Sequence, residues 1–192
     1  MKASEAHEHI EETLEGHRNR RVAILIAILA AMLALAEMGG GQAKQDSLNA
    51  NIEASNLWAF FQAKTIRQTM LRTTSELAEF MPAVAPERSD AFAKRLDAWK
   101  ATVARYESEP DTGEGRRELM ARAKAAEALR DRALAADHVF ELASAALQLG
   151  IVLASAAVIT GALWLAFTAV GLGVVGTAFI AIGWTAPVLI HF

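Results

Sequence analysis

Two carboxylates are the residues of this chain whose positions most directly suggest chemistry. Glu37 follows Val22–Ala36 and Glu141 precedes Leu142–Phe192, two tracts that contain no Asp, Glu, Lys or Arg. A carboxylate inside a bilayer is a candidate proton or ion site, whereas one at the end of a crossing reaches the polar interface. The end positions favour interface carboxylates, and an ion site is the alternative.

A second group of candidate residues lies in a mostly apolar stretch. It contains two aromatic and three polar side chains: Asn56, Trp58, Phe61, Lys64 and Arg67. Polar residues within a helix–helix contact fix its register, so these residues form a candidate helix-interaction stripe. The alternative is that Asn56, Lys64 and Arg67 face solvent beside the aromatic residues, and we expect no small-molecule site here.

No pattern typical of an enzyme occurs in the sequence. The phosphate-loop, Rossmann, zinc-protease and nucleophile-elbow motifs are missing, and the lack of Cys excludes thiolate metal ligands. His7, His9 and His17 lie in an acidic tail, but side chains two positions apart do not share a helix face. We therefore expect no enzymatic activity, no cofactor and no metal.

The two uncharged tracts are long enough to lie in lipid. A run of about 18 or more apolar residues is typical of a membrane-spanning helix. Residues 22–41 form the first predicted crossing, after an acidic N-terminal tail at 1–21. The second tract predicts a transmembrane hairpin within 138–192, with crossings at about 141–160 and 164–188.

The ends of these crossings carry further signals. Gly161 breaks helix propensity and favours a turn at Thr160–Leu163. The triple glycine Gly39–Gly41 is expected to let the chain bend as it leaves the lipid. A secretory signal cleaved at Ala36 is the alternative for the first tract, although the long acidic tail before it favours a retained anchor.

The segment between the apolar tracts predicts a helical stalk over residues 42–137. Pro82 ends a first helix at 42–81, and apolar residues at spacings of four and three give a second helix, at 88–107, a heptad seam. The third helix, at 114–137, has no breaker and should continue into the next crossing. We expect the first helix to pair with the second and then with the third.

Small residues recur on the predicted crossings. They are Ala146, Gly150 and Ala154, spaced by four, and Gly176 and Gly183, spaced by seven. Such stripes let helix backbones approach closely in lipid. Packing within one chain and packing between subunits both fit this pattern.

Charge predicts where the protein lies. Fifteen basic and fifteen acidic residues cancel within 42–137, and the net charge is −3, so nucleic acid is not an expected partner. Arg18, Arg20 and Arg21 precede the first crossing, and the positive-inside rule then places the N-terminus in the cytoplasm. The stalk is expected in the periplasm.

The run NIEASNLWAFFQAKTIRQ at Asn51–Gln68 resembles the signature of a bacterial membrane protein family, domain of unknown function 4337. The acidic tail before Asn19–Arg21, the segment Arg130–Ala133 and the C-terminal apolar hairpin are similar to that family too. The resemblance spans nearly the whole chain. It implies the topology of a bacterial membrane protein and assigns no chemistry.

These observations together predict an all-α membrane protein with three transmembrane helices and a coiled-coil-like extramembrane hairpin. The expected function is that of a membrane-anchored scaffold or assembly protein acting through helix–helix contacts. Its expected partners are the lipid bilayer and a second copy of the chain or another membrane protein. An ion or small-solute pathway is the alternative function.

Overall fold

The computed structural model describes residues 3–80 and 89–189, with side chains from residue 19 onward. Every regular element in these ranges is helical. The elements are α1 (Ala3–Glu79), α2 (Ser89–Glu107), α3 (Arg116–Thr160), α4 (Leu163–Thr185) and a final 3-10 turn (Pro187–Leu189). The predicted all-α class is therefore confirmed.

Three helices are long and apolar enough to cross a membrane. They lie within Asn19–Glu79, Arg116–Thr160 and Leu163–Thr185. The number of candidate crossings in the described chain thus agrees with the number predicted. The third of them ends at Thr185, three residues before the predicted end at 188.

The predicted bend at Gly39–Gly41 is wrong, because α1 continues through all three glycines. The glycines serve close packing instead. A Cβ atom at Gly39 would lie 2.6 Å from the Cε1 atom of Phe140 on α3, a distance that leaves no room for a side chain. The segment that the sequence divides into tail, crossing and stalk helix is one helix in the structure.

Turns separate the remaining helices. Gly161 adopts φ 68° between α3 and α4, a left-handed conformation that glycine reaches without steric cost, and the turn lies where it is predicted. Gly113 adopts φ 67° before α3, and its amide donates to the carbonyl of Glu109 at 2.9 Å. Helix α1 ends at Glu79, and the predicted helix end at Pro82 lies outside the described residues.

The chain forms two compact units. Unit 1 comprises Met1–Ser47 with Asp131–Phe192, and unit 2 comprises Leu48–Arg130. In unit 1, α1 contributes a buried stripe with a period of seven: Val22, Leu29, Ala36 and Ala43. Leu29, Ala36 and Ala43 pack with Phe140, Ala143 and Leu147 of α3 and with Ile180 of α4. Val22 packs with Ala154 and Ala169, so apolar burial holds the three helices together.

In unit 2, one face of α1 packs against α2 and α3. We call this face the inward seam, and its residues follow alternating spacings of three and four: Ala54, Leu57, Phe61, Lys64, Gln68, Leu71, Ser75 and Ala78. Ala54 and Leu57 form an apolar cluster with Leu119, Ala123 and Ala126 of α3. Farther along α1, the Nζ atom of Lys100 on α2 lies 2.6 Å from Glu79. The pairing order expected for the stalk helices is thus observed.

Candidate functional site

The inward seam carries polar side chains at its centre, and these form the candidate site of unit 2. Lys64 and Gln68 are buried, at 5% and 8% exposure, although heptad seams are ordinarily apolar at these positions. We call the cluster of Lys64, Gln68, Glu107, Glu109 and Arg116 the polar layer. It joins α1, α2 and α3.

Lys64 is held on several sides. Its Nζ atom lies 3.4 Å from Oε2 of Glu109 and 3.8 Å from Oε2 of Glu114. The same atom lies 5.3 Å from the ring centre of Phe60 and 5.5 Å from that of Tyr106, within the range of a cation–π attraction. The buried ammonium therefore has both carboxylate and aromatic neighbours.

Gln68 links all three helices of the polar layer. Its Nε2 atom donates to the carbonyl of Val103 and to Oε2 of Glu107, both at 3.1 Å. Its Oε1 atom accepts from Nη1 of Arg116 at 2.5 Å. The amide of Gln68 thus forms hydrogen bonds with residues of both α2 and α3. These bonds fix the position of both helices along the axis of α1.

Arg116 is the first residue of α3 and, like Gln68, forms several hydrogen bonds in the polar layer. Its Nε atom donates to Oγ1 of Thr65 at 3.0 Å, and its Nη1 atom donates to Oε2 of Glu107 at 2.9 Å. Its guanidinium also lies 5.1 Å from the ring centre of Phe61. The hydrogen bond from Gln68 lowers the pKa of Glu107, and the hydrogen bond from Arg117 and the charges of Arg116 and Arg117 lower it further.

The predicted helix-interaction stripe divides into two groups in this chain. Trp58 and Phe61 are half-buried and Lys64 is buried, and the Nε1 atom of Trp58 donates to Oε1 of Glu127 at 2.9 Å. Asn56 and Arg67 are exposed on α1. The alternative that Lys64 faces solvent is wrong, since the helical spacing places it on the inward seam.

Sequence reasoning did not identify Gln68, Arg116 or Glu107. Gln68 lies four residues after Lys64, and both belong to the seam that begins at Ala54 and Leu57. Extending that spacing would have found Lys64 and Gln68 as polar residues at seam positions. The partners on α2 and α3 carry no comparable signal, because turn geometry determines which of their charges meet the seam.

The predicted interface carboxylates line a groove in unit 1. Glu37 and Glu141 are exposed, and the groove of about 340 Å³ also includes Lys44 and Asp137. The Nδ1 atom of His138 lies 3.5 Å from Oε2 of Glu141. Within the part of the chain whose side chains are described, no group of His, Asp and Glu is arranged to hold a metal ion; the tail histidines lie outside that part.

The predicted small residues lie at helix contacts within unit 1. Gly150, Ala154, Gly176 and Gly183 are buried, and Ala146 is half-buried. A Cβ atom at Gly176 would lie 2.6 Å from Cγ of Leu147. Small residues on α4 therefore admit larger side chains of α3, a mode of packing common between helices in lipid.

The fold and these sites define an all-helical protein with three helices able to cross a membrane and a polar layer within a separate helical unit. The family model described as "Domain of unknown function (DUF4337)" matches residues 18–186, and the chain belongs to this family. No curated protein and no solved structure matches the chain.

Proposed function

We propose that the protein is a non-enzymatic, membrane-anchored scaffold that assembles through helix–helix contacts, as a homo-oligomer or with another membrane protein. The observation that carries this proposal is the apolar surface of unit 2. Ile66, Met70 and Leu77 of α1 and Leu129 of α3 are large apolar side chains that stay exposed in the single chain. In the sequence, unit 2 comes between the two apolar tracts, so it is an extramembrane segment in the proposed topology. Lipid therefore does not cover this surface.

Assembly would remove this surface from water. Burial of apolar area is worth roughly 25 cal/mol per Å², and exposed apolar patches mark contact surfaces with proteins or membranes. The polar layer supports the same function in a different way. It holds α2 and α3 in register against α1. Because this packing covers one face of α1, the opposite face stays exposed.

The proposed location is the bacterial inner membrane, with a cytoplasmic N-terminus and unit 2 in the periplasm. Arg20 and Arg21 lie immediately before the first apolar tract, as the positive-inside rule requires of a cytoplasmic flank. With three crossings, the C-terminus lies on the periplasmic side. A reporter enzyme active only in the periplasm, fused after Phe192, should be active; a fusion made in full but silent would refute this orientation.

The mass of the intact complex tests the assembly proposal. The full chain is isolated by an affinity tag from gently solubilised membranes, and the complex is weighed without dissociation. We expect a mass of at least twice the 20.6 kDa chain, or the chain together with a second membrane protein. A complex that contains only one copy and lipid would refute the proposal.

A second candidate function is an ion or small-solute pathway, favoured by the groove that Glu37, Lys44, Asp137 and Glu141 line. Carboxylates at membrane depth are typical of such pathways. Proteoliposomes that contain the full chain should then conduct a cation, and Glu37→Gln or Glu141→Gln should abolish the flux. Tight liposomes with the intact chain present would exclude this function.

A further inference from the structure

The part of α1 that belongs to unit 2 carries a second heptad seam on the side opposite the inward seam. Its residues follow spacings of four and three over nearly four heptads: Ile52, Asn56, Ala59, Ala63, Ile66, Met70, Thr73 and Leu77. We call this face the outward seam. A sustained pattern of this kind is typical of a helix that packs against a second helix.

Among the residues that the structure describes, none covers the outward seam. Ile52, Ile66, Met70 and Leu77 are 58%, 66%, 69% and 64% exposed. Meanwhile the inward seam of the same helix is packed against α2 and α3, with Leu57 and Lys64 buried. One face of α1 is therefore used within the chain, and the other presents an unpartnered apolar stripe.

We propose that the outward seam is the contact surface for a second copy of this chain, with two α1 helices side by side in parallel. The proposal rests on the proposed function and names the surface, the partner and the direction. Asn56 occupies an a position in this seam, where Ile52, Ala59, Ile66 and Thr73 occupy d positions. An Asn at a single a position selects register and oligomer state, because it is satisfied when it meets the Asn of the other helix.

The direction follows from Asn56, the one residue of the outward seam that has a side-chain amide. A parallel pair places Asn56 opposite Asn56 of the second copy. An antiparallel pair in the same overlap would set Asn56 against Thr73, whose single hydroxyl matches only part of the hydrogen-bonding capacity of the Asn amide.

The flanking positions permit this pairing. In a parallel pair, a g position faces the e position five residues later on the other helix. Those pairs are Leu48 with Glu53, Ser55 with Phe60, Gln62 with Arg67 and Thr69 with Thr74. None of the four sets like charges against each other, and Gln62 offers an acceptor to Arg67.

Disulfide cross-linking of the full chain in its native membrane tests the proposal. The sequence has no Cys, so each variant carries one thiol: Ile52→Cys, Ile66→Cys or Leu77→Cys. The matched control is Arg72→Cys, since the Arg72 side chain is 73% exposed on the same helix but lies off the outward seam. With an added oxidant, all three seam variants should give a product of twice the 20.6 kDa chain mass, and the control should remain monomeric.

The pattern across the three positions separates the geometries. A product at only one seam position would indicate an antiparallel crossing and overturn the proposal, as would equal cross-linking of Arg72→Cys. Oligomers of the intact protein without any seam product would place the contact on another surface, so that the proposed function stands and this inference fails. An intact protein isolated with neither a second copy nor another membrane protein would refute both.

A second variant tests the seam without a thiol. Ile66→Lys combined with Met70→Lys alters two exposed side chains, so the fold of the single chain should keep its helical content. Burying these charges at a helix–helix seam should weaken association at least ~10-fold, equivalent to about 1.4 kcal/mol. An unchanged dimer fraction for this variant would overturn the proposal.

Discussion

The Nζ atom of Lys64 lies 3.4 Å from Oε2 of Glu109, 45 residues farther along the chain. Only 6% of the Lys64 side chain is exposed, against 22% for Glu109. A buried ammonium in the middle of a helix seam costs free energy unless it is paired. The contact therefore fixes where the turn after α2 lies along α1. This fixed register is the structural basis of the polar layer.

Replacing Lys64 with Ala should destabilise unit 2. The substitution removes the buried partner of Glu109 and leaves a cavity on the inward seam, for a cost of about 2 kcal/mol. The measurement is chemical unfolding of the full chain in detergent, followed by circular dichroism. Arg72→Ala is the control, because its side chain is 73% exposed, and it should stay within about 0.5 kcal/mol. Equal losses for the two variants would contradict the role of Lys64.

Trp58→Phe should cost about 1–2 kcal/mol, because it removes the indole donor to Glu127 and part of a packed ring. The ring of Trp58 also meets that of Phe61 edge-on, with centres 5.4 Å apart. Glu127→Gln keeps an oxygen that accepts the same hydrogen bond, so its loss should be smaller. The two unfolding free energies test this order, and a larger loss for Glu127→Gln would show that charge at this position, not the hydrogen bond, matters most.

Gly176→Ala should destabilise the packing of α4 against α3. The new Cβ would lie 2.6 Å from Cγ of the fully buried Leu147, and overpacking of this kind costs about 1–3 kcal/mol. Gly171 lies on the same helix with nothing within 4 Å of an added Cβ. Gly171→Ala should therefore be neutral or slightly stabilising in thermal unfolding. If both variants melt alike, close approach at Gly176 is not required.

Acid should weaken unit 2 through Glu107. The hydrogen bond from Gln68, aided by that from Arg117 and by the arginine charges, holds the pKa of Glu107 below its ordinary value of 4.5. A carboxyl group whose pKa is lower in the folded state contributes stability that is fully present above pH 4.5 and is lost as pH falls through the folded pKa. The midpoint of thermal unfolding should fall over that interval, and Glu107→Gln should flatten the decline. An unaltered acid dependence in Glu107→Gln would assign the effect to other groups.

The helical class, the candidate crossings and the turn at Gly161 follow from local properties of the sequence. Uncharged tracts, heptad spacing and a glycine that takes a positive φ act within a few residues of one another. The half-buried seam of α2, which includes Leu96, Trp99 and Val103, is predictable for the same reason. Periodicity along one helix is sufficient to identify such a face.

The continuous path of α1 through Gly39–Gly41 and the burial of Lys64 depend on contacts between distant segments. Gly39 is helical and tightly packed because Phe140 fills the space beside it, and no local signal near residue 39 indicates this. Lys64 is buried because a carboxylate 45 residues away meets it. Intrinsic propensity predicts a bend at Gly39–Gly41 and a solvent-facing charge at Lys64. Tertiary packing overrides both predictions.

Placement of the apolar tracts in lipid is the central claim, and thiol labelling in intact membranes tests it most directly. Ile28 and Val174 are 55% and 65% exposed in the single chain, and the Arg72 side chain is similarly exposed. Single-Cys variants at these positions are treated with a maleimide in membranes opened on both sides. We predict that Ile28→Cys and Val174→Cys react only after detergent denaturation, whereas Arg72→Cys reacts at once. Rapid labelling of all three variants without detergent would contradict the account.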